Sequence, residues 1–167
     1  MRTITVPLIL VNLQDNGFHI LVEIVVFGQQ LFAVVDTGAS RSVFDKSLLE
    51  KHVEGLQENE EQQAATIFSS ATTLVGTIPL LQIGKLKLPN YETVAIDLQS
   101  VSDTYIQMGQ PSIAGIIGGD ILTQFNSKID YKRQVLRFYI DTTDAIKLEL
   151  SSFKNEQRLD NSIKKLS

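Results

Sequence analysis

Residues 31–40 read LFAVVDTGAS, in which five apolar residues lead directly into Asp36, Thr37 and Gly38. A short apolar run of this kind predicts a buried strand. Asp36 is therefore expected at the point where a buried strand opens into a tight loop. Because burying a lone carboxylate is costly, a chain that does so usually gives it hydrogen-bond partners or uses it chemically. Thr37 supplies a hydroxyl, and Gly38 permits close approach of the backbone.

Two later segments belong with this loop. Residues 114–122 read AGIIGGDIL, and residues 126–131 read NSKIDY. Together with Asp-Thr-Gly-Ala-Ser at residues 36–40, their order and spacing resemble the retropepsin-like aspartic proteases, the single-motif relatives of retroviral protease. The resemblance covers residues 8–140, and it implies that residues 114–122 pass behind the catalytic loop.

The resemblance implies an all-β fold, a closed β-barrel of the acid-protease type with one or two short helices. We predict a protease domain over residues 1–140 and a C-terminal extension over residues 141–167. The extension is expected to form a short strand and helix or to fray. A flap, the hairpin that closes over bound peptide in this family, is expected within residues 64–79.

The same resemblance implies an aspartic endopeptidase in which Asp36, Thr37 and Gly38 form the catalytic loop. Gly38, Ala39 and Ser40 are expected to bind a peptide or protein substrate. Hydrolysis by carboxylates requires two of them, sharing one water and one proton. Since the chain contains Asp-Thr-Gly only once, we expect a homodimer to bring two copies of Asp36 together.

Four further residues are predicted to support the loop: Ile117, Gly118, Arg41 and Asp120. Retroviral enzymes carry acidic residues after the loop and an arginine after the later glycine. Here Arg41 follows the loop and Asp120 follows the glycines, so the two charges look exchanged. We predict that Arg41 and Asp120 pair and brace the loop. The alternative is a solvated Arg41 and an Asp120 that only caps a helix.

Turn and cap signals divide the rest of the chain. Short helices are predicted over residues 46–53 and 120–125, with Asp45 and Asp120 as their N-caps. Residues 100–112 are expected to be irregular. The chain between the two helices is expected to contain separate strands over residues 77–83, 86–88 and 93–98.

The composition of the chain excludes several kinds of partner and cofactor. The 167 residues are 43% hydrophobic, enough for one domain with a real core, and the net charge of −4 gives no electrostatic signature for nucleic acid or an anionic membrane. There is no cysteine, and the two histidines lack a metal-binding spacing. We therefore expect no metal, no cofactor, no nucleic acid and no membrane among the partners.

A secretory leader and a membrane-length apolar segment are not visible in the sequence, so a cytoplasmic location is expected. Two other functions stay open beside the protease. One is a catalytically silent module of the retropepsin fold that binds peptide or assists assembly. The other is a protease that its own C-terminal tail holds latent.

Overall fold

Strands dominate the part of the chain that the structure describes. The computed structural model describes residues 2–12, 17–58 and 73–141. Its strands are β1 (Arg2–Asn12), β2 (Phe18–Val26), β3 (Gln29–Val35), β4 (Val43–Asp45), β5 (Gln57–Glu58), β6 (Leu74–Ile83), β7 (Leu86–Ile96), β8 (Ile113–Ile117), β9 (Lys128–Asp130) and β10 (Val135–Ile140). Its helices are α1 (Lys46–His52), α2 (Gln99–Gln107) and α3 (Gly119–Gln124).

The strands form one sheet that closes on itself. Their order is β5-β6-β7-β4-β8-β3-β2-β1-β10-β9. A further pairing of β2 with β6, at Val25↔Gln82 and Val26↔Leu81, joins β6, β7, β4, β8, β3 and β2 into a barrel. Closure removes the open edges of these strands. The predicted all-β closed barrel is confirmed.

The strand β1 ties the barrel to an outer layer. Its first half pairs with β10, from Arg2↔Ile140 to Pro7↔Val135, and its second half pairs with β2. Its burial alternates residue by residue from Thr3 to Ile9, and Ile4, Val6 and Leu8 point into the core. This period of two is the pattern of a strand with one buried face.

The middle of β2 and the end of β3 carry apolar residues on both faces of the sheet, which is the pattern of strands covered on two sides. Val22, Ala33 and Val35 face the main core. Leu21 faces the other way, into a smaller cluster with Tyr105 of α2, against which Phe32 and Val34 pack. The buried strand predicted before Asp36 is therefore confirmed, and two apolar layers hold it.

Helix α1 follows the prediction, whereas the start of α3 does not. The Asp45 carboxylate accepts a hydrogen bond from the Leu48 amide at 3.1 Å, as expected for an N-cap. Helix α3 begins after Gly118, which has no side-chain cap, and Asp120 lies within its first turn. The prediction that Asp120 caps this helix is wrong, because its carboxylate is committed to other donors, described below.

Two other expectations are corrected. Residues 100–112 were expected to be irregular, but Gln99–Gln107 form α2. Six of its nine residues are Gln, Ser, Asp or Thr, and Tyr105 is its buried residue, so the apolar stripe that signals a helix is short. Strand β7 also continues through Pro89 and Asn90, where a break was expected, because β6 pairs with it on both sides, at Leu80↔Pro89 and Ile78↔Tyr91. Asn90 adopts a positive φ of 50° within the strand, which asparagine tolerates.

Some predictions fall outside the described residues. These are the strand and helix predicted within the extension of residues 141–167, of which residue 141 alone is described, and most of the flap predicted within residues 64–79. The domain boundary after residue 140 therefore stays a prediction. Among the helices that the structure describes, none is long and apolar enough to cross a membrane.

A compact ion cluster fixes the hairpin of β9 and β10. The Asp130 carboxylate accepts hydrogen bonds from the Arg133 amide at 2.9 Å, the Arg133 guanidinium at 3.1 Å and the Arg137 guanidinium at 3.2 Å. The backbone hydrogen bond from Arg133, with help from both guanidinium groups, lowers the pKa of Asp130 to about 2.

This pKa predicts how the variant Asp130→Asn will behave. A carboxyl group whose pKa is lower in the folded chain than its ordinary 3.8 stabilises the fold above the ordinary value, and that contribution is lost as the pH falls through the folded value. We expect wild type to be more stable than Asp130→Asn at neutral pH, with the difference shrinking from about pH 4 to pH 2. Urea unfolding across this range measures it. A difference that is constant with pH would contradict the prediction.

Candidate active site

The loop that carries Asp36 passes over the end of β8. Strand β8 lies between β3 and β4, with Val35 level with Ile117 and Val43 level with Ile116. The chain from β3 to β4 must therefore cross the carboxyl end of β8 through residues 36–42. The Asp36 amide donates to the Ile117 carbonyl at 3.0 Å, which fixes the start of this crossing.

Within the loop, Asp36 shapes its own turn. Its side-chain Oδ1 accepts from the Gly38 amide at 2.8 Å, and its carbonyl accepts from the Ala39 amide at 3.3 Å. A carboxylate that binds the backbone two residues on is a common turn device. Asp36, Thr37, Gly38 and Ser40 are exposed, and Ala39 is half-buried. The carboxylate thus lies at the surface of the single chain, not in its interior.

Gly118 lets the loop lie directly against β8 and α3. A Cβ atom at Gly118 would stand 2.6 Å from the carbonyl carbon and oxygen of Arg41 and 2.9 Å from the Ala39 carbonyl oxygen. Its neighbour Gly119 donates its amide to that same Ala39 oxygen at 2.7 Å. The predicted support residues Ile117 and Gly118 therefore both contact the loop. The absence of a side chain at residue 118 is what makes the contact possible.

Asp120 fastens the far end of the loop. Its Oδ1 accepts from the Ser42 amide at 2.8 Å and from the Ser42 hydroxyl at 2.6 Å. Its Oδ2 accepts from the Tyr91 hydroxyl at 2.8 Å. The Ser42 hydroxyl in turn accepts from the Gly118 amide at 2.9 Å. Three segments of chain meet in these bonds: β7, the loop, and the start of α3 with the preceding Gly118.

The electrostatics of this network favour Asp120 as the acceptor. Burial raises the pKa of the Tyr91 hydroxyl, and its hydrogen bond with Asp120 raises it further, so Tyr91 stays protonated and donates. The positive charge of Arg41 acts on Tyr91 in the opposite direction, which puts Arg41 in the neighbourhood of the network. The direct pairing of Arg41 with Asp120 stays a prediction.

A groove of about 400 Å³ opens beside Asp36. Its lining is mainly apolar, with a few polar and aromatic side chains, as is usual for ligand sites. The lining residues are Phe18, His19, Ile20, Val34, Val35, Asp36, Thr37, Val101, Tyr105, Ile116, Ile129 and Tyr131. Asp36 is the one carboxylate among these described residues. Within residues 2–12, 17–58 and 73–141, no group of three or more His, Asp or Glu side chains is placed to hold a metal ion.

Four residues of the site were not predicted from the sequence. They are Ser42 and Tyr91, which bind Asp120, and the groove residues His19 and Tyr105. Ser42 is 2% exposed, yet a serine two residues past the motif carries no local signal of burial. Its partner Asp120 lies 78 residues away in the sequence. These contacts depend on the barrel bringing distant strands together, and no motif spacing could have indicated them.

The arrangement is that of acid proteases: a loop that carries an aspartate crosses the end of a strand and rests on a glycine, within a closed barrel. The family model described as aspartyl protease matches residues 22–121, more than half of the chain, and the chain belongs to this family. No match was found among curated proteins.

Two solved structures are similar to this chain. One is a retropepsin-like aspartic protease from Rickettsia conorii, with 19% identity, a TM-score of 0.51, and coverage of 83% of this chain and 91% of that one. The other is the retroviral protease-like domain of Ddi1 from Leishmania major, with 20% identity, a TM-score of 0.49, and coverage of 73% and 87% respectively. At this level of identity, the first similarity establishes the retropepsin-like fold.

The close contact at Gly118 predicts a sharp difference between two neighbouring substitutions. Gly118→Ala should destabilise the fold by about 2 kcal/mol or more, because its methyl group would strike backbone atoms that cannot rotate away. Gly119→Ala should cost less than about 1 kcal/mol, since a Cβ atom there would be 3.3 Å from its nearest neighbour. Urea unfolding of both variants measures the difference. Equal stability of the two variants would show that the loop does not rest on Gly118.

Proposed function

We propose that this chain is an aspartic endopeptidase that works as a homodimer, with one Asp36 from each copy at the active site. The observation that carries the proposal is the position of Asp36. Its carboxylate is exposed on a braced loop and borders the groove, in a chain of the aspartyl protease family. A lone exposed carboxylate is a poor catalyst, whereas two that face each other can share a proton.

The proposed mechanism follows from that shared proton. Two carboxyl groups a few ångströms apart do not both ionise, so the pair holds one proton between them. The ionised Asp36 takes a proton from a water as the water attacks the peptide carbonyl. The protonated Asp36 donates a hydrogen bond to the carbonyl oxygen, where negative charge develops. The pair, which has gained the proton of the water, then passes one proton to the nitrogen of the leaving amine. The peptide bond breaks, and the pair again holds one proton.

The loop geometry supports this mechanism. The bonds from Gly38 to Asp36 and from Asp36 to Ile117 orient the carboxylate before substrate arrives. Preorganised groups need no rearrangement in the transition state, which is where much catalytic power originates. Thr37 would reach across the dimer and stiffen the paired loops. Gly38, Ala39 and Ser40 would contact the main chain of an extended peptide.

The catalytic role of Asp36 predicts the outcome of Asp36→Asn. This nearly isosteric change removes only the group that titrates, so peptide cleavage should fall by about 10³-fold or more while the fold is unchanged. Cleavage of a mixed peptide library, with circular dichroism and urea unfolding, measures both results. Asp103→Asn, on the exposed side of α2, is the matched control and should cleave as wild type does. Retained activity in Asp36→Asn would rule out the mechanism.

A mixing experiment tests the dimer. If each active unit needs two copies of Asp36, then a ninefold excess of Asp36→Asn chains should reduce wild-type activity to about a tenth, because most wild-type chains would sit in mixed dimers. The measurement is the initial cleavage rate after the two proteins are mixed and equilibrated. A chain that works alone would keep its full rate.

One observation favours a second candidate, the silent peptide-binding module. In the single chain, Asp36 is the one carboxylate among the groove-lining residues, so a monomer has half of the catalytic pair. Light scattering over a concentration series separates the two candidates. A persistent monomer that binds peptides and does not cleave them would support the binding module.

A further inference from the structure

The groove beside Asp36 has a polar pair set into its apolar lining. The Nδ1 atom of His19 is hydrogen-bonded to the Tyr105 hydroxyl, and the two rings lie 5.7 Å apart between centroids. His19 is on β2, two residues before Leu21, which is level with Val34 of β3. His19, Tyr105 and Asp36 all line this groove, so the pair shares it with the proposed reacting group.

The Tyr105 side chain is held rigidly, whereas His19 meets solvent. Tyr105 is 3% exposed and packs in the cluster with Val11, Leu21 and Ile113. Burial raises the pKa of Tyr105, so the hydroxyl keeps its proton, and its hydrogen bond occupies Nδ1 of His19. The other ring nitrogen, Nε2, is a second polar atom that can donate or accept a hydrogen bond according to the tautomer. Because His19 is exposed, this atom is available to water or to an occupant of the groove.

An occupant that covers His19 must offer Nε2 a hydrogen-bond partner. A purely apolar side chain would strip water from Nε2 and replace it with nothing, and an unsatisfied polar atom is costly. An acidic side chain would supply an acceptor but would bring a second negative charge into the groove that Asp36 borders. A lysine or arginine would pair with Asp36 and neutralise the carboxylate that has to act as base.

Tyrosine meets all of these conditions. Its ring suits the apolar walls that Ile20, Val34 and Ile116 supply, and its hydroxyl can donate to or accept from Nε2 while adding no charge. We propose that the groove is a substrate subsite for a tyrosine side chain next to the cleaved bond, and that His19 and Tyr105 select tyrosine over phenylalanine. This inference rests on the proposed function, because it takes an extended peptide as the ligand.

The test compares matched peptides that differ by one hydroxyl group. Short peptides carrying Tyr or Phe on either side of the cleaved bond are digested with the full wild-type chain. We expect kcat/KM to favour Tyr by about threefold to tenfold, the range for one hydrogen bond at a partly exposed site. Tyr105→Phe and His19→Phe keep an aromatic ring at each position and should bring the ratio close to one. Tyr139→Phe removes a hydroxyl outside the groove and should leave the ratio as in wild type.

A binding arm separates this inference from the proposed function. The same Tyr and Phe peptides, with the scissile amide replaced by a hydroxyethylene group, are titrated into Asp36→Asn by calorimetry. A Tyr preference that Tyr105→Phe and His19→Phe abolish would support the subsite even if the wild-type chain cleaves nothing.

Three outcomes would overturn the inference. The first is equal affinity for the Tyr and Phe peptides. The second is a Tyr preference that survives both substitutions. The third is that His19→Phe and Tyr105→Phe change the dissociation constant of the dimer but leave the Tyr to Phe ratio unchanged. That result would show that the partner copy occupies the groove.

Discussion

The close contact between Gly118 and the loop over β8 is the constraint on which the rest of the site depends. With β8 between β3 and β4, the connecting chain has to cross the end of a strand. The crossing brings the Arg41 carbonyl so near residue 118 that no side chain fits there. In return, the loop gains hydrogen bonds to the backbone of Ile117, Gly118 and Gly119. A segment that elsewhere would be a mobile surface loop is thereby fixed.

The Asp120 network extends this rigidity into the barrel. A half-buried carboxylate would be costly without partners, but Asp120 accepts three hydrogen bonds, from the amide and hydroxyl of Ser42 and from Tyr91. It therefore links α3 to both the loop and β7. A carboxylate that braces the loop through neutral donors differs in kind from the ion pair predicted between Arg41 and Asp120. The two arrangements are compatible, since Arg41 acts on the same tyrosine.

The exposure of Asp36 gives the site its most informative feature. Backbone hydrogen bonds and the tight contact at Gly118 fix the loop and orient its carboxylate, yet that carboxylate faces outwards. The groove next to it is lined by exposed aromatic residues, with Phe18 60% and Tyr131 55% exposed. A rigid, outward-facing acid beside an apolar groove suits a site completed by other molecules, a second copy and a peptide in our proposal.

Local sequence determined the motif, the buried strand before it, the capped helix α1 and the family, because each depends on residues adjacent in the chain or on a short fixed spacing. The sequence also indicated that residues 114–122 pass behind the loop, although only through resemblance. Tertiary structure alone decided the roles of Ser42 and Tyr91, the existence of α2 and the pairing of His19 with Tyr105. Those residues are separated in sequence by up to 86 positions. Closure of the barrel brings them together, and their polar character gives no periodic signal from which that closure could be predicted.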